Sequence, residues 1–371
     1  MEKIKFMKKK ILVFGAGAIG RGFIPWIFSP SEFEINYVES DPQIRDILNK
    51  QKKFLTFKIM NDRYEKLEVP IVHCYSPGKE VEIIENVDVV ITAVGPRNAL
   101  SLKESLINTD MPIICCENDS TIPESLRAAT NNPNIVFGIP DVITSNTAPK
   151  ELLKQDPLSI VTENGVCYID NKVSEIGGNC HYVDTDELRK QWLAKLYIHN
   201  TPHCIAAYLG NILMVNYIHE SMKNKSVEKI VSKAMFETEQ MLIRQYQLEE
   251  EFVKSYSQKE LRRFKNTLLF DPIIRVAREP FRKLATNDRL ISAAELCLAS
   301  GIVPENVMMG IMAAFCYNNK QDPDFNITYL MKSLQPRDFL KIIIGLRADD
   351  ALFAIMVNRW NDNLQKLGEL K

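Results

Sequence analysis

The 371-residue sequence predicts an α/β unit with a doubly wound parallel sheet, followed by an all-helical unit. Strand-like runs alternate with helical segments over about the first 150 residues, an order typical of parallel strands joined by right-handed crossovers. A glycine-rich turn lies between the first strand-like run and a helical segment. From about residue 187 onward nearly every segment has helical periodicity, so we predict two domains, 1–187 and 188–371.

Short β-rich runs define the predicted sheet, at residues 10–14, 34–40, 87–94, 112–118 and 134–140. A further stretch with acidic and glycine turn residues is interpreted as an added hairpin, and it covers residues 158–172. The helical periodicity of the second half is clearest at residues 227–246, 305–319 and 349–367.

The charge balance predicts a small-molecule partner. The chain carries 46 basic and 47 acidic side chains and has a formal net charge of −1. This balance gives no electrostatic reason to expect nucleic acid or an anionic membrane as the partner.

The cysteines and the apolar runs predict a cytoplasmic location. The eight cysteines lack paired C-x-x-C spacing, and a chain of this length does not need a disulfide framework, so a reducing compartment fits best. The basic start leads into a short apolar run and a glycine turn rather than a cleavage site, so we expect no signal peptide. The longest apolar stretches fall well short of the roughly 20 residues that a membrane span needs.

The glycine-rich turn predicts a Rossmann-type dinucleotide site. In the pattern G-x-G-x-x-G, Gly15 permits the tight turn, Gly17 lets backbone amides approach a pyrophosphate, and Gly20 lets helix and strand pack closely. Glu39 ends the second predicted strand, where a carboxylate accepts hydrogen bonds from the adenosine ribose. That carboxylate would repel a 2′-phosphate and favours NAD over NADP, although the neighbouring Arg45 leaves room for dual use.

A second turn, at the carboxyl end of the predicted strand 87–94, should also face the cofactor, because doubly wound sheets bind ligands at the carboxyl ends of their strands. The residues that we predict to bind NAD are Gly15, Ala16, Gly17, Ala18, Ile19, Gly20, Glu39, Ala93, Val94 and Gly95.

Residues 195–203 place a lysine, an asparagine and two histidines within nine positions. Pro202 after Thr201 predicts that one helix ends near Asn200 and that another begins with Thr201 as its N-cap. Two other interpretations stay open. Lys195 can be an ordinary solvated lysine beside structural histidines.

The second alternative is a metal site, with ligands from His199, His203 and Cys204. No carboxylate completes this set at a recognisable spacing.

Several segments together resemble the mannitol dehydrogenase family of polyol-specific long-chain dehydrogenases: FGAGAIGRGFI, TAVGP, CEN, KLYIHNTPHCIAAYLG and RVAREPFRKLATNDRL. The resemblance runs over nearly the whole chain and is most specific in the last two segments. It implies NAD-dependent, metal-independent interconversion of a polyol phosphate and a keto-sugar phosphate, by an NAD-binding first domain and a helical catalytic second domain. Separately, the lack of a linker rich in proline, glycine or serine predicts that the two domains pack tightly with the site between them.

The same resemblance implies the catalytic residues. Lys195 and Asn200 belong to a K-x4-N-x2-H motif, Asn118 to C-[DE]-N, and these three would surround the reacting carbon. The motif's histidine falls on His203. Lys195 would act as the general base, since burial favours its neutral amine, and the two asparagines would donate to the developing alkoxide.

A basic segment is predicted to bind the substrate. Arg275 and Lys283 match family positions that contact substrate hydroxyls or phosphate, and Arg282 is expected to join them. A solvated basic face is the alternative interpretation.

One stretch departs from the family. Where the family usually has V-D-R, with an aspartate that contacts the sugar chain, residues 143–145 read Ile-Thr-Ser, so Thr144 and Ser145 replace the acid and the arginine. A loop shift would be needed for Asp141 to take the acid's place. Two alternatives therefore remain: a reductase of free polyols or hexuronates, and a catalytically silent NAD-binding sensor.

Overall fold

The chain divides into two compact units, Met1–Trp192 and Leu193–Lys371, and the computed structural model describes residues 7–370 of them. The division lies within helix Thr185–Ala194, as does the domain boundary predicted at residue 187, which stays a prediction. The basic start of the chain, from which we predicted the absence of a signal peptide, lies in part outside the described residues.

The first unit contains the predicted parallel sheet. The strands are β1 Lys9–Phe14, β2 Phe33–Val38, β3 Lys53–Met60, β4 Arg63–Pro70, β5 Cys74–Tyr75, β6 Val89–Thr92, β7 Ile113–Cys115, β8 Ile135–Asp141, β9 Ile160–Glu163, β10 Val166–Asp170 and β11 His181–Val183. In the large sheet they occur in the order β11-β10-β8-β7-β6-β1-β2-β5, and β1 pairs in parallel with both β2 and β6. A second, smaller sheet has the order β4-β3-β9.

The doubly wound prediction is confirmed by the burial of β1. Ile11 and Val13 belong to one hydrophobic cluster, whereas Leu12 and Phe14 belong to another. Side chains of a strand alternate between faces, so both faces of the sheet are covered. The helices and helical turns of this unit include α1 Ile24–Ile27, α2 Pro42–Gln51, α3 Pro96–Ala99, α4 Lys103–Leu106, α5 Ile122–Thr130, α6 Lys150–Leu153 and α7 Thr185–Ala194, with a π-helix at Ala18–Phe23.

The predicted hairpin at 158–172 is wrong in its pairing. Both strands exist, but β9 joins β3 in the small sheet and β10 pairs antiparallel with β8 in the large one. The chain between β9 and β10 passes from the small sheet to the large one, so the two strands do not form a hairpin. The alternation of apolar and polar residues fixes which residues are extended, but not which strand becomes the neighbour.

The hairpin of β3 and β4 was not predicted. Its two turn residues, Asn61 and Asp62, have φ values of 47° and 58°. Two consecutive left-handed residues are typical of a type I′ turn, in which Asn and Asp are favoured. The sequence KFLTFKIM-ND therefore contains the signal that would have revealed this hairpin.

The second unit is helical, as predicted, and no strand occurs within residues 193–370. The helices are α8 Thr201–Ile212, α9 Ile218–Ser221, α10 Lys225–Tyr246, α11 Glu250–Phe264, α12 Ile273–Ala277, α13 Pro280–Lys283, α14 Ile291–Ala299, α15 Glu305–Phe315, α16 Ile327–Ser333, α17 Pro336–Asp338, α18 Ala351–Asn358 and α19 Trp360–Gly368, with π-helices at Lys195–Asn200 and Phe339–Ile343. Helix α8 packs against α10, α12 and α15.

The predicted break near Asn200 is also wrong. The π-helix Lys195–Asn200 runs directly into α8, and Thr201 has helical φ and ψ of −63° and −60° rather than the extended conformation of an N-cap. A proline in an α-helix lacks one N–H donor and its ring clashes with the carbonyl four residues earlier. The wider π-helical turn before Pro202 accommodates the ring, and the Thr201 N–H donates to Leu196 O instead.

No helix within residues 7–370 combines the length and the apolar character that crossing a bilayer requires.

Candidate active site

The glycine loop has the geometry that a dinucleotide requires. Gly15 has a φ of +95°, and a Cβ there would lie 2.6 Å from the carbonyl oxygen of Ala93. A Cβ at Gly20 would clash with Gly15 O, so helix and strand approach as closely as the motif predicts. An added Cβ at Gly17, by contrast, meets no atom of the described residues within 4 Å. The loop is therefore open at the position where the motif lets a pyrophosphate approach.

Glu39 directly follows β2, and its carboxylate is fixed beside the glycine loop. Its Oε2 accepts a hydrogen bond from the Ala16 amide at 2.7 Å, and its Oε1 accepts one from the Asp41 amide at 2.9 Å. Glu39 is only 9% exposed. The predicted ribose-binding residue and the predicted pyrophosphate loop therefore lie side by side.

Two further residues, which the sequence did not single out, hold the loop. The buried guanidinium of Arg21 donates to the carbonyl oxygens of Ala16 and Leu158, and burial lowers the pKa of Arg21. The Tyr37 hydroxyl donates to Gly20 O at 3.0 Å. The signal for Arg21 was its place directly after the last glycine of the motif.

The turn after β6 is anchored by Glu117. The Thr92 hydroxyl and the Val94 amide both donate to the Glu117 carboxylate, at 2.7 and 3.1 Å. Burial raises the pKa of Glu117, and these hydrogen bonds oppose that rise. The Ala93 amide donates to Phe14 O at 2.8 Å, so the turn lies beside the start of the glycine loop. The predicted cofactor residues of the first unit are therefore brought together.

Asn118 lies directly after Glu117 and is half-buried. The hydrogen bonds of Glu117 therefore fix the backbone next to Asn118 at the same edge of the sheet.

Lys195 and Asn200 begin and end one π-helix of the second unit. They are 7% and 5% exposed, so the motif is buried rather than solvated. This burial disfavours the interpretation of Lys195 as an ordinary surface lysine. π-helical turns are rare and frequently occur at functional sites.

His203 is held by two neighbours. Its Nε2 lies 2.8 Å from Asp271 Oδ2, and its ring stacks on Phe264 with a centroid separation of 5.0 Å. Asp271 also accepts hydrogen bonds from the guanidinium of Arg275. Burial raises the pKa of Asp271, but Arg275 and His203 together lower it below its usual value. Asp271, which the sequence did not single out, thus joins a predicted catalytic residue to a predicted substrate residue.

His199 has a different carboxylate partner. Its Nδ1 lies 2.5 Å from Glu260 Oε2, and Glu260 is paired with Arg263 at 2.6 Å. Burial lowers the pKa of His199 to about 4, although Glu260 opposes the change. The ring is therefore neutral at pH 7, and Nδ1 carries the proton because a carboxylate only accepts.

The basic segment contains fewer available charges than the sequence implied. Arg282 forms ion pairs with Glu279 and Asp288, at 2.9 and 3.1 Å. Lys283 is 4% exposed and donates to the carbonyl oxygen of Arg278. Burial, together with the neighbouring arginines, lowers the pKa of Lys283 to about 7.

The segment 143–145, where the chain departs from the family, is bonded to β9. Thr144 is 3% exposed, and its hydroxyl lies 2.8 Å from that of Thr162 on β9. The Ser145 amide donates to Val161 O at 2.9 Å. Thr144 therefore joins its segment to β9.

Across residues 7–370, no group of three or more His, Cys, Asp or Glu side chains is arranged to hold a metal ion. His199 and His203, which the sequence left open as ligands, each contact a separate carboxylate.

Comparison with known proteins places the chain among its relatives. The family profile of the mannitol dehydrogenase Rossmann domain matches residues 9–172, and that of the mannitol dehydrogenase C-terminal domain matches residues 188–335. The mannitol-1-phosphate 5-dehydrogenase of Thermoanaerobacter pseudethanolicus is 30% identical over 95% of this chain and 97% of its own. That of Clostridium acetobutylicum is 32% identical over 84% of this chain and 88% of its own.

A solved structure has the same fold. Pseudomonas fluorescens mannitol 2-dehydrogenase, in a ternary complex with NAD and D-mannitol, is similar with a TM-score of 0.74 and 14% identity, over 98% of this chain and 94% of that one. The family profiles and the curated relatives together show that this chain belongs to the mannitol dehydrogenase family.

Proposed function

We propose that the protein is an NAD-dependent oxidoreductase that interconverts mannitol 1-phosphate and fructose 6-phosphate by metal-independent hydride transfer. The observation that carries this proposal is the burial of Lys195 and Asn200 in one π-helical turn. It is supported by the relatives named mannitol-1-phosphate 5-dehydrogenase, which match over most of the chain.

The cofactor residues follow from the glycine loop. Backbone amides around Gly17, Ala18 and Ile19 would hold the pyrophosphate, because they lie between the open side of the loop and a helix start. Glu39 would accept hydrogen bonds from the adenosine ribose, and Val94 and Gly95 would line the same edge of the sheet.

Oxidation of an alcohol needs a base for the hydroxyl proton and donors for the oxyanion. Lys195 takes the proton in the direction of ketone formation and returns it in the direction of reduction. Asn200 and Asn118 donate amide hydrogens to the developing alkoxide, a role in which one donor typically contributes about 3 kcal/mol. NAD, when bound, accepts or supplies the hydride.

His203 serves as a positioning residue in this proposal rather than as a proton donor. Its Nε2 is already bonded to Asp271, and Phe264 covers one face of the ring. It therefore helps to fix α8, which follows directly after Asn200.

The substrate residues are proposed from the basic segment. Arg275 uses Nε and one terminal nitrogen on Asp271, which leaves the other terminal nitrogen for a substrate oxygen. Lys283, whose pKa is lowered to about 7 by burial, suits a hydroxyl better than a dianion. Arg282 has two carboxylate partners, so its part in binding is the weakest of the three.

We place this reaction in the cytoplasm, with a small sugar or polyol phosphate as the partner and neither nucleic acid nor a membrane. All eight cysteines are free thiols, as a reducing compartment favours.

The experiment is reduction of fructose 6-phosphate by the purified protein with NADH, followed by identification of the product. We expect NADH consumption that matches formation of mannitol 1-phosphate, and no loss of activity with a chelator. Turnover of a hexuronate or free fructose but not of fructose 6-phosphate would replace the substrate. NADH binding without turnover of any of these would favour the silent sensor.

A further inference from the structure

The second unit contains a cluster of five cationic side chains along one short stretch of chain, the basic segment 275–289. Four of them are compensated within the protein and one is not. The five are Arg275, Arg278, Arg282, Lys283 and Arg289.

Two of the arginines are neutralised by aspartates, one of them buried and one half-buried. Arg275 donates twice to Asp271, which is 3% exposed. Arg289 is itself 5% exposed and pairs with Asp288 at 2.6 Å. Neither arginine presents an uncompensated charge.

The other compensated pair lies between them. Arg282 contacts two carboxylates, Glu279 and Asp288. Lys283 donates to a backbone carbonyl, and because its pKa is lowered to about 7, it carries only part of a charge at neutral pH.

Arg278 differs from the other four. Its side chain is exposed and has no hydrogen bond or ion pair to any residue in the described range 7–370. It follows the last residue of α12, one position after Ala277, with an extended ψ of 153° that points the chain out of the helix. Partial burial lowers the pKa of Arg278, Glu279 and Asp322 oppose this, and the nearby Arg275 and Arg282 lower it further. Two cations and two carboxylates therefore act on its guanidinium, although none of them forms a hydrogen bond or an ion pair with it.

A phosphate dianion would give the Arg278 guanidinium the partner that it lacks among the described residues. The planar guanidinium fork matches phosphate oxygens in a bidentate manner, and a site with several cations and one unpaired arginine favours a doubly charged ligand over a neutral one. Both carboxylates that act on Arg278 have other partners: Glu279 pairs with Arg282, and Asp322 accepts hydrogen bonds from the backbone amides of Glu279 and Asp324.

The segment is also connected to the predicted catalytic motif. Arg275 lies one helical turn before Arg278, and Arg275 shares Asp271 with His203 of the K-x4-N-x2-H motif. Arg278 is thus three residues from an arginine that shares its carboxylate with the histidine of this motif, in the same unit as Asn200 and Lys195.

We propose that Arg278 binds the phosphate of the substrate and sets the preference for phosphorylated over free keto-sugars, an inference that rests on the proposed function. Arg275 assists from its remaining terminal nitrogen, whereas Arg282 pairs with Glu279 and leaves that carboxylate without an ion pair to Arg278. This assigns the phosphate to a residue that the family positions did not indicate.

The test compares fructose 6-phosphate with fructose in three proteins: wild type, Arg278→Gln and the control Arg262→Gln. Arg262 is also exposed and in the second unit, so its loss removes the same charge. We expect Arg278→Gln to lower kcat/KM for fructose 6-phosphate by about 10–100-fold, the loss typical of one charge-assisted hydrogen bond. Activity with fructose should stay within about threefold of wild type.

Inhibition by inorganic phosphate is the second measurement. It should inhibit the wild type competitively against fructose 6-phosphate, and its inhibition constant should rise about tenfold or more in Arg278→Gln but much less in Arg278→Lys. Unchanged efficiency on fructose 6-phosphate in Arg278→Gln, equal losses on both sugars, or the same loss in Arg262→Gln would each overturn the assignment. A wild type that shows no preference for fructose 6-phosphate would instead remove the phosphate from the proposed function itself.

Discussion

At the scale of single residues, Glu39 has two roles that the sequence did not separate. Its position predicted a ribose contact, and the structure adds hydrogen bonds to the amides of Ala16 and Asp41. The carboxylate therefore shapes the glycine loop, and we propose that it also repels a 2′-phosphate. Loss of its charge should affect both NADH affinity and cofactor choice.

We predict that Glu39→Gln lowers the preference for NADH over NADPH by about tenfold or more, because the repulsion of the 2′-phosphate disappears. NADH affinity should fall as well, since a glutamine oxygen accepts less strongly than a carboxylate. The ratio of kcat/KM for the two cofactors measures the first effect. A wild type that already turns over NADPH faster than NADH would contradict the account.

At the scale of elements, the bounds of strands and helices were largely predictable, whereas their neighbours were not. The alternation in residues 10–14 and the periodicity in 227–246 located β1 and α10 within about two residues at each end. The pairing of β9 and β10 with different sheets depends on contacts between residues far apart in sequence. No local pattern contains that information.

Prolines explain a second error at this scale. Pro202 correctly indicated an interruption of the α-helix, but the helix continues through a π-helical turn rather than ending. Pro25 likewise lies two residues after the end of a π-helix, Ala18–Phe23, which follows the glycine loop. In both places the wider turn lies beside a predicted functional motif, which sequence periodicity alone could not reveal.

The candidate site was predictable only in part for a related reason. The glycines and Glu39 lie at fixed intervals along the chain, and the spacing itself predicts their proximity. Asp271 and Glu260 lie 68 and 61 residues from the histidines that they contact, His203 and His199. Their roles follow only from the packing of the second unit.

Thr144 provides a prediction for the contact between its segment and β9. Thr144→Asp would place a carboxylate in a site that is 3% exposed, opposite the Thr162 hydroxyl. We expect it to destabilise the protein by about 2–4 kcal/mol, because one hydrogen bond does not offset the burial of a charge. Thermal unfolding measures the change, with Thr144→Ser as the control that keeps the hydroxyl. If the aspartate variant is as stable as wild type and more active on fructose 6-phosphate, residue 144 contacts the substrate and this prediction is wrong.

At the scale of the whole molecule, buried histidine links stability to pH. The pKa of His199 is lowered by burial to about 4, from the ordinary histidine value of 6.5, so the unfolded chain binds this proton more readily than the folded one. The contribution is therefore fully present above about pH 6.5 and is lost as the pH falls toward about 4.

We predict that the free energy of unfolding decreases by up to about 3 kcal/mol across that range through His199 alone. His199→Gln keeps a donor for Glu260 but cannot titrate, so its unfolding should depend less on pH in the same window. Denaturant unfolding at pH 7 and pH 4.5 measures the difference. Equal pH dependence in both proteins would show that His199 is not the responsible group.

We propose that the two units have separate functions: the first binds the nucleotide, and the second transfers the proton through Lys195. Lys195→Ala separates these functions within one protein, and the decisive measurement is its kcat for fructose 6-phosphate beside its Kd for NADH. We predict a loss of about 10²–10⁴ in kcat, typical of a missing general acid or base, with the Kd for NADH nearly unchanged. Full activity in Lys195→Ala would contradict the account.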